Sequence, residues 1–442
     1  MPHASPAQSK PTAIADLKTH PRGRVTVCGF VETIRDHSAV VFVIIRDKTA
    51  AVQVVADSTD ETPYTEDLKQ LTIGTAVTVT GKLVDNKIVK LGGLEIQLEE
   101  LAIASIATSP LPIDEDTGLD KRLDWRFVDL RQPQNTLIFK IQTLLEHAFR
   151  LLWIEEGFIE IHSPKIMASA SESGGELFRL DYFDGHAYLA QSPQFYKQMA
   201  MAAGFERVFE IAPVFRANPS FTSRHDTEFT SVDVEISWVD GHHDVMDLEE
   251  RMLVAALTAV KEQFGDVIHD TFGVDVVVPE RPFPRIKHAD AVQIVADRGY
   301  SIPRADGDLD PEAERRLAEH VKETHGHEFV FVTDYPPAVR AFYHMRYEDG
   351  SGLTKGFDLI WKGLEITTGA QREHRYDMLL SQAEEKGIGY DEIAYYLNFF
   401  KYGCPPHGGF GLGLTRILMI LLGIRNVREV TYLYRGPNRI HP

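Results

Sequence analysis

Between Arg24 and Leu101 the chain reads as a series of short β-rich runs: RVTVCGFVETI, AVVFVIIRD, AAVQVVAD, TAVTVTGKLV and LEIQLEELAIA. The runs are short, rich in β-branched residues and separated by turn-forming residues, as strands are. Only one short helical piece, Thr65–Leu71, interrupts them. Four or five such strands bury their apolar faces by closing into a small barrel. Residues 1–20 are polar and rich in Pro, Ala and Ser, and are expected to form a loose tail.

After the barrel the pattern changes. SPLPIDEDTGLDKRLDWRFVDLRQPQ (Ser109–Gln134) reads as a linker or hinge. Ile138, Ile141, Leu145, Ala148 and Leu152 then recur at helical steps, predicting an amphipathic helix over Thr136–Glu156 that Gly157 stops. Beyond it strands such as RVFEIAPVFR, TSVDVEISWV and GFDLIWKGLEITTG mix with helices over His242–Phe264, Asp310–Thr324, Arg375–Lys386 and Tyr390–Tyr402. Strand follows strand without βαβ alternation, so the fold class is α+β on an antiparallel sheet. The expected organisation is a tail over 1–20, an OB-type barrel over 21–106, a hinge over 107–133 and a larger domain over 134–442.

Of the 442 residues 43% are hydrophobic and none of the runs is long enough to cross a membrane. Cys28 and Cys404 lie far apart, which excludes a disulfide scaffold and a cysteine-rich zinc site and fits the cytoplasm. The net charge of −19 argues against non-specific coating of nucleic acid. Residues 1–100, however, carry 11 Lys/Arg against 13 Asp/Glu, so most of the acidic excess lies beyond them and a local nucleic-acid site in the barrel stays open.

Neither a Walker loop nor a G-x-G-x-x-G after a strand is present, and GFGLGLTR (Gly409–Arg416) is by itself equally a close-packed helix start. VFRANPSFTSRHDTEFTSVDVEISW (Val214–Trp238) gathers Arg216, Arg224 and His225 around a strand, loop and returning strand, with Phe229 available to stack on a base. Such a hairpin suits a polyphosphate, though a solvated loop has the same composition. In FDLIWKGLEITTGAQREHRYD (Phe357–Asp377), Asp358 and Glu365 are seven apart and share a face only through a bulge or neighbouring strands. Two carboxylates beside phosphate-binding cations suit Mg²⁺; a paired core carboxylate fits the spacing equally.

Taken together these segments resemble the class II aminoacyl-tRNA synthetases, in particular the compact archaeal aspartyl type, from about Arg22 to Pro442. GFIEIHSPKI, with Pro164, is similar to the first family motif, which builds a dimer interface. VFRANPSFTSRHDTEFTSVDVE is similar to the second and GFGLGLTR to the third, while QSPQFYKQ and GLEITTGAQREHRYD resemble the segments that select aspartate. The resemblance implies an anticodon-binding OB barrel, a hinge and a catalytic domain. It also implies a homodimer that makes aspartyl-adenylate from ATP and L-aspartate, then loads the terminal ribose of tRNA(Asp), with tRNA(Asn) as a second candidate.

Carried over by position, Arg216 would hold the α-phosphate, Arg224 and His225 the outer phosphates, and Phe229 and Arg416 the two faces of adenine. Asp358, Glu365 and Thr368 would hold Mg²⁺. Lys197 and Arg372 would read the side-chain carboxylate, because a neutral amide would leave two cations uncompensated. Asp233 would take the ammonium, with Gln194 and Glu172 in the same pocket. SESGGELF (Ser171–Phe178) would be a closing flap. In the barrel, Phe42 and Gln53 would stack on and hydrogen-bond to anticodon bases; a core position for Phe42 is the other reading.

Asn218 and Thr415 stand where the family motifs usually carry glutamate, Phe30 where a tryptophan is common, and VETIRDHSAV lacks the usual glycines. These departures leave room for a paralogue that activates aspartate for an unusual acceptor. Other readings are an asparaginyl enzyme, a tRNA-independent amidating relative and a non-catalytic RNA-binding module.

Overall fold

The computed structural model describes residues 10–37, 39–57, 62–171, 176–219, 222–304 and 307–442. The chain divides into two compact units, Met1–Thr136 and Leu137–Pro442. In the first, β1 (Gly23–His37), β2 (Val40–Arg46), β3 (Ala51–Asp57), β4 (Ala76–Asp85) and β5 (Leu94–Ser105) close in the order β1-β2-β3-β5-β4. All neighbours run antiparallel except β3 and β5. Alternation sends Val41, Val43 and Ile45 of β2 and Val52, Val54 and Ala56 of β3 into the core, and turns Phe42, Ile44 and Gln53 outward. Phe42 is therefore no core residue.

Two expectations for this unit need correction. From Ile14 onward the tail is docked: Ile14 and Leu17, three apart on a 3₁₀ turn, bury in the barrel core, and Asp47 and Thr49 accept the Ile14 and Ala15 amides. The polar stretch after the barrel is no bare linker. It holds helices Leu119–Asp124 and Arg126–Asp129, and the Arg126 guanidinium, 1% exposed, is paired with Asp129.

In the second unit the strands are β6 (Ile159–Glu160), β7 (Ile166–Met167), β8 (Arg179–Tyr182), β9 (Gly185–Leu189), β10 (Arg207–Phe215), β11 (Glu228–Ser237), β12 (Arg285–Lys287), β13 (Phe329–Thr333), β14 (Gly356–Trp361), β15 (Leu364–Arg372) and β16 (His407–Gly413). Eight of them form one sheet, β12-β13-β14-β15-β16-β11-β10-β6, and β7-β9-β8 form a second, small one. The six central strands of the large sheet pair antiparallel, as the strand order predicts; only the outermost pairs, β12 with β13 and β10 with β6, are parallel.

One face of this sheet packs on helices Pro133–Glu155 and His242–Phe272, through Trp153, Phe149, Met252 and Leu253 against Val232, Val234, Phe410 and Leu412. The second helix outruns its predicted end at Phe264. Gly265 costs a helix about 1 kcal/mol, but Ile268 and Phe272 continue the apolar stripe into the core, and the helix stops only at Gly273, with φ of 69°. The opposite face carries the cleft.

Candidate active site

The cleft, about 340 Å³, is lined by the β10–β11 hairpin, β15, β16 and the start of helix Leu414–Leu422. Arg216 follows β10 directly; its amide donates to Thr227 and its guanidinium lies 5.6 Å from the Phe229 ring centre. Arg224, on the hairpin loop, pairs with Glu314 of helix Pro311–His325 at 2.9 Å. His225 sits against Thr222, and burial together with Arg416, Arg224 and Arg216 lowers its pKa, so it is neutral at neutral pH. Arg416 donates to the Glu365 carbonyl at 2.8 Å. Arg216, Arg224, His225, Phe229 and Arg416 thus meet at one end of the cleft, as the second and third motif segments predict.

The Asp358–Glu365 question is answered by a hairpin and a bulge together. β14 turns into β15 at Lys362 (φ 48°) and Gly363 (φ 82°), the two left-handed residues of a tight hairpin. A Cβ on Gly363 would also sit 2.9 Å from Arg315 Cα. The register then slips between Leu359 and Ile360: Asp358 pairs with Thr368 but Ile360 with Glu365. The slip brings Glu365 round to the face of Asp358 and Thr368, and Thr368 Oγ1 donates to Glu365 at 3.3 Å. Burial, reinforced by Asp358 and Glu314, pushes the Glu365 carboxyl up to about 7. Asp358 lies deeper, ion-paired with Arg340, and its Oδ1 has no hydrogen-bond partner. Among the described residues no group of three or more His, Cys, Asp or Glu side chains gathers as a metal site.

At the other end, Ser231, Asp233 and Glu235 alternate on one face of β11, while Val232 and Val234 enter the core. Lys197, on helix Gln194–Ala202, spends its ammonium on Asp233 (3.0 Å), the Phe410 carbonyl (3.0 Å) and Glu235 (3.4 Å). Arg372 donates to Glu235 at 3.1 Å and to the Gly409 carbonyl at 2.9 Å. Arg372, Asp233 and Gln194 line the cleft; Lys197 lies behind them, 2% exposed. The expectation of two uncompensated cations is thereby corrected, since Asp233 and Glu235 balance both. What remains is polarity, because an ammonium and a guanidinium can only donate. The glycines of GFGLGLTR occupy β16 and make room for these acids: a Cβ on Gly409 would fall 2.2 Å from Glu235 Oε2, and one on Gly411 3.1 Å from Asp233 Oδ1.

Glu172, with residues 173–175 of the expected flap, lies outside the described residues. Pro164 is exposed between Ser163 and Lys165, both of which bind Glu210. In the barrel, Gln53 donates to Glu95 at 3.2 Å, and the Phe42 ring meets His37 edge-on. The sequence reading missed Glu235, Glu314, Arg340 and Asp226. Glu235 was detectable by its even spacing from Asp233. Asp226, also in the cleft wall, has its carboxyl pushed up to about 7 by burial, which Arg416 and Arg216 offset in part.

Comparison with known proteins agrees with this architecture. Residues 118–435 match the model of the tRNA synthetases class II (D, K and N), and residues 25–104 that of the OB-fold nucleic acid binding domain. The chain belongs to the class II tRNA synthetases and is an aminoacyl-tRNA ligase of that family. It is 42% identical over 426 residues to the aspartate–tRNA(Asp) ligase of Pyrococcus abyssi, covering 95% of this chain and 96% of that one. It is 40% identical over 438 residues to the aspartate–tRNA(Asp/Asn) ligase of Aeropyrum pernix, covering 97% and 98%. Among solved structures, asparaginyl-tRNA synthetase from Pyrococcus horikoshii superposes with a TM-score of 0.91 at 31% identity, over 98% of this chain and 100% of that one. Aspartyl-tRNA synthetase from Entamoeba histolytica does so at 0.87 and 30%, over 100% and 95%. No helix among the described residues is long and apolar enough to cross a membrane.

Proposed function

We propose that this chain activates L-aspartate with ATP and transfers it to the 3′-terminal ribose of tRNA(Asp), with tRNA(Asn) as a second acceptor. The observation that carries the choice of amino acid is the convergence on Glu235 of Lys197 and of Arg372, which lines the same cleft as Arg216. Arg372 donates to the substrate's side-chain carboxylate, and Lys197 joins by exchanging its longest contact, the one to Glu235. An asparagine amide keeps one acceptor oxygen but turns its N–H₂ group toward the other donor, so it loses one bond and the charge of the carboxylate. Activation forms a bond from the aspartate α-carboxylate to the α-phosphorus and expels pyrophosphate. Arg216 neutralises the charge that grows on the α-phosphoryl oxygens, while Arg224 and His225 hold the outer phosphates. Phe229 and Arg416 enclose the adenine. Asp233, already bonded to Lys197 and Ser231, contributes to the ammonium end with Gln194 and Glu172.

Glu365, Asp358 and Thr368 suit Mg²⁺. One carboxyl that retains its proton near neutrality and one buried oxygen without a partner are what a divalent cation would relieve. The ion would neutralise triphosphate charge. Phe42 and Gln53, on the outer barrel face, are the anticodon readers. Exposed Leu151, Ile154, Ile159 and Ile166, on the segments leading to and past Pro164, support a homodimer. Two unpaired cysteines suit work in the cytoplasm.

The test is ATP–pyrophosphate exchange with aspartate and asparagine, alongside charging of tRNA(Asp) and tRNA(Asn). Exchange with asparagine alone would overturn the proposal. Exchange with aspartate but no charging of either tRNA would favour the second reading, an activator for another acceptor, which Asn218 and Thr415 in the cleft wall support.

A further inference from the structure

Behind the amino-acid end of the cleft, four buried side chains form a hydrogen-bonded line that leads away from the substrate. It starts at the Pro405 carbonyl, which can only accept. His407 Nδ1 lies 2.8 Å from that oxygen and therefore carries a hydrogen. Burial, with Arg372 and His374 acting the same way and Glu235 opposing, lowers the His407 pKa to about 4, so the ring has one N–H and Nε2 is a bare acceptor. Gln198 Nε2, 2.9 Å from Nε2 of the imidazole, must donate to it. The Gln198 amide is thereby fixed in one sense, and its Oε1 faces the other way. There it accepts from Tyr396 Oη at 3.0 Å and from Gln194 Nε2 at 2.9 Å. Gln194, Gln198, Tyr396 and His407 are each no more than 4% exposed. Gln194 alone of the four lines the cleft, and with one N–H of its amide committed to Gln198 its Oε1 is the acceptor that remains for a ligand.

We propose that Gln198, Tyr396 and His407 are positioning residues: they form a polarity relay that orients the Gln194 amide so that its oxygen accepts from the α-ammonium of the amino-acid substrate. The proposal rests on the reading of this end of the cleft as the amino-acid pocket. The reverse orientation would set an N–H₂ group against a cation. The relay therefore discriminates for an amine-bearing ligand over the same carbon skeleton without one.

The test compares L-aspartate with succinate, which has both carboxylates but no ammonium. Exchange kinetics of the full chain are measured with Gln198→Leu and Gln198→Met, using succinate as a competitor. KM for aspartate is expected to rise roughly ten- to hundredfold, the worth of a hydrogen bond to a charged group, with KM for ATP and Ki for succinate within about twofold. Loss of aspartate and succinate affinity in parallel would show a deformed pocket and overturn the relay; so would an unchanged KM for aspartate. A measurement on the unmutated protein serves if the variants do not fold: nitrogen NMR of labelled histidine, with His407 assigned by His407→Gln. An Nδ1–H tautomer supports the relay and an Nε2–H tautomer overturns it. Absence of any aspartate-dependent exchange in the unmutated enzyme would instead sink the parent reading, and the tautomer would still be informative.

Discussion

Arg372 donates through Nε to Glu235 Oε1 at 3.1 Å, with side chains 3% and 0% exposed. Lys197 shares the same carboxylate, so Glu235 holds two cations that are no more than 3% exposed. Removing one partner of a buried ion pair costs far more than the pair contributes. Glu235→Gln is expected to lower the free energy of unfolding by about 3 kcal/mol, read from urea denaturation at neutral pH. A variant as stable as the parent would show that the charges are balanced elsewhere.

Glu249, on helix His242–Phe272, is fully buried, and burial with Glu250 and Asp358 nearby pushes its carboxyl up to about 8, Thr367 opposing. A folded pKa above the unfolded one means that the folded state favours the proton. That contribution is present below about pH 4.5 and is lost as pH rises through about 8. Glu249→Gln has no such proton to lose. Relative to the parent it should gain on the order of 3 kcal/mol between pH 5 and pH 8 in a series of unfolding curves. Parallel curves would refute the burial argument.

If Asp358 and Glu365 jointly hold Mg²⁺, Asp358→Asn should raise the Mg²⁺ concentration for half-maximal exchange by about tenfold. The KM for aspartate, whose pocket lies at the other end of the cleft, should be little changed. A magnesium titration of the exchange rate measures the first and initial rates at saturating ion the second.

The proposed anticodon contact of the barrel is tested by separating the two half-reactions. Phe42→Ala should raise the KM for tRNA about tenfold, the stacking worth of one base, and leave pyrophosphate exchange untouched. Equal losses in both assays would mean that the barrel face acts on folding rather than on tRNA.

The density of β-branched residues made the barrel readable, and the alternation of strand side chains then sends every second residue of β2 and β3 into the core. The same rule placed Ser231, Asp233 and Glu235 on one face of β11, yet Glu235 escaped attention because a strand pattern does not say which acids share a partner. Glu314 could not have been found that way: it meets Arg224 across 90 residues of chain. The docking of Ile14 and Leu17 was hidden by polar neighbours, and the extension of helix His242–Phe272 by a glycine that its flanking apolar residues override. The spacing of Asp358 and Glu365 asks for a bulge or neighbouring strands to bring them together; where the register slips follows the packing of Ile360 and Ile366 into different cores.

The two glycines of β16 bear on any attempt to redirect this enzyme to another amino acid. Beneath Glu235 the floor has no space for a new side chain, so a library randomised at Gly409 would mostly yield collapsed clones, while a Cβ at Gly411 would press directly on Asp233. New substrates have to be recruited from the walls, by trimming or exchanging groups on helix Gln194–Ala202 and the strand that ends at Arg372.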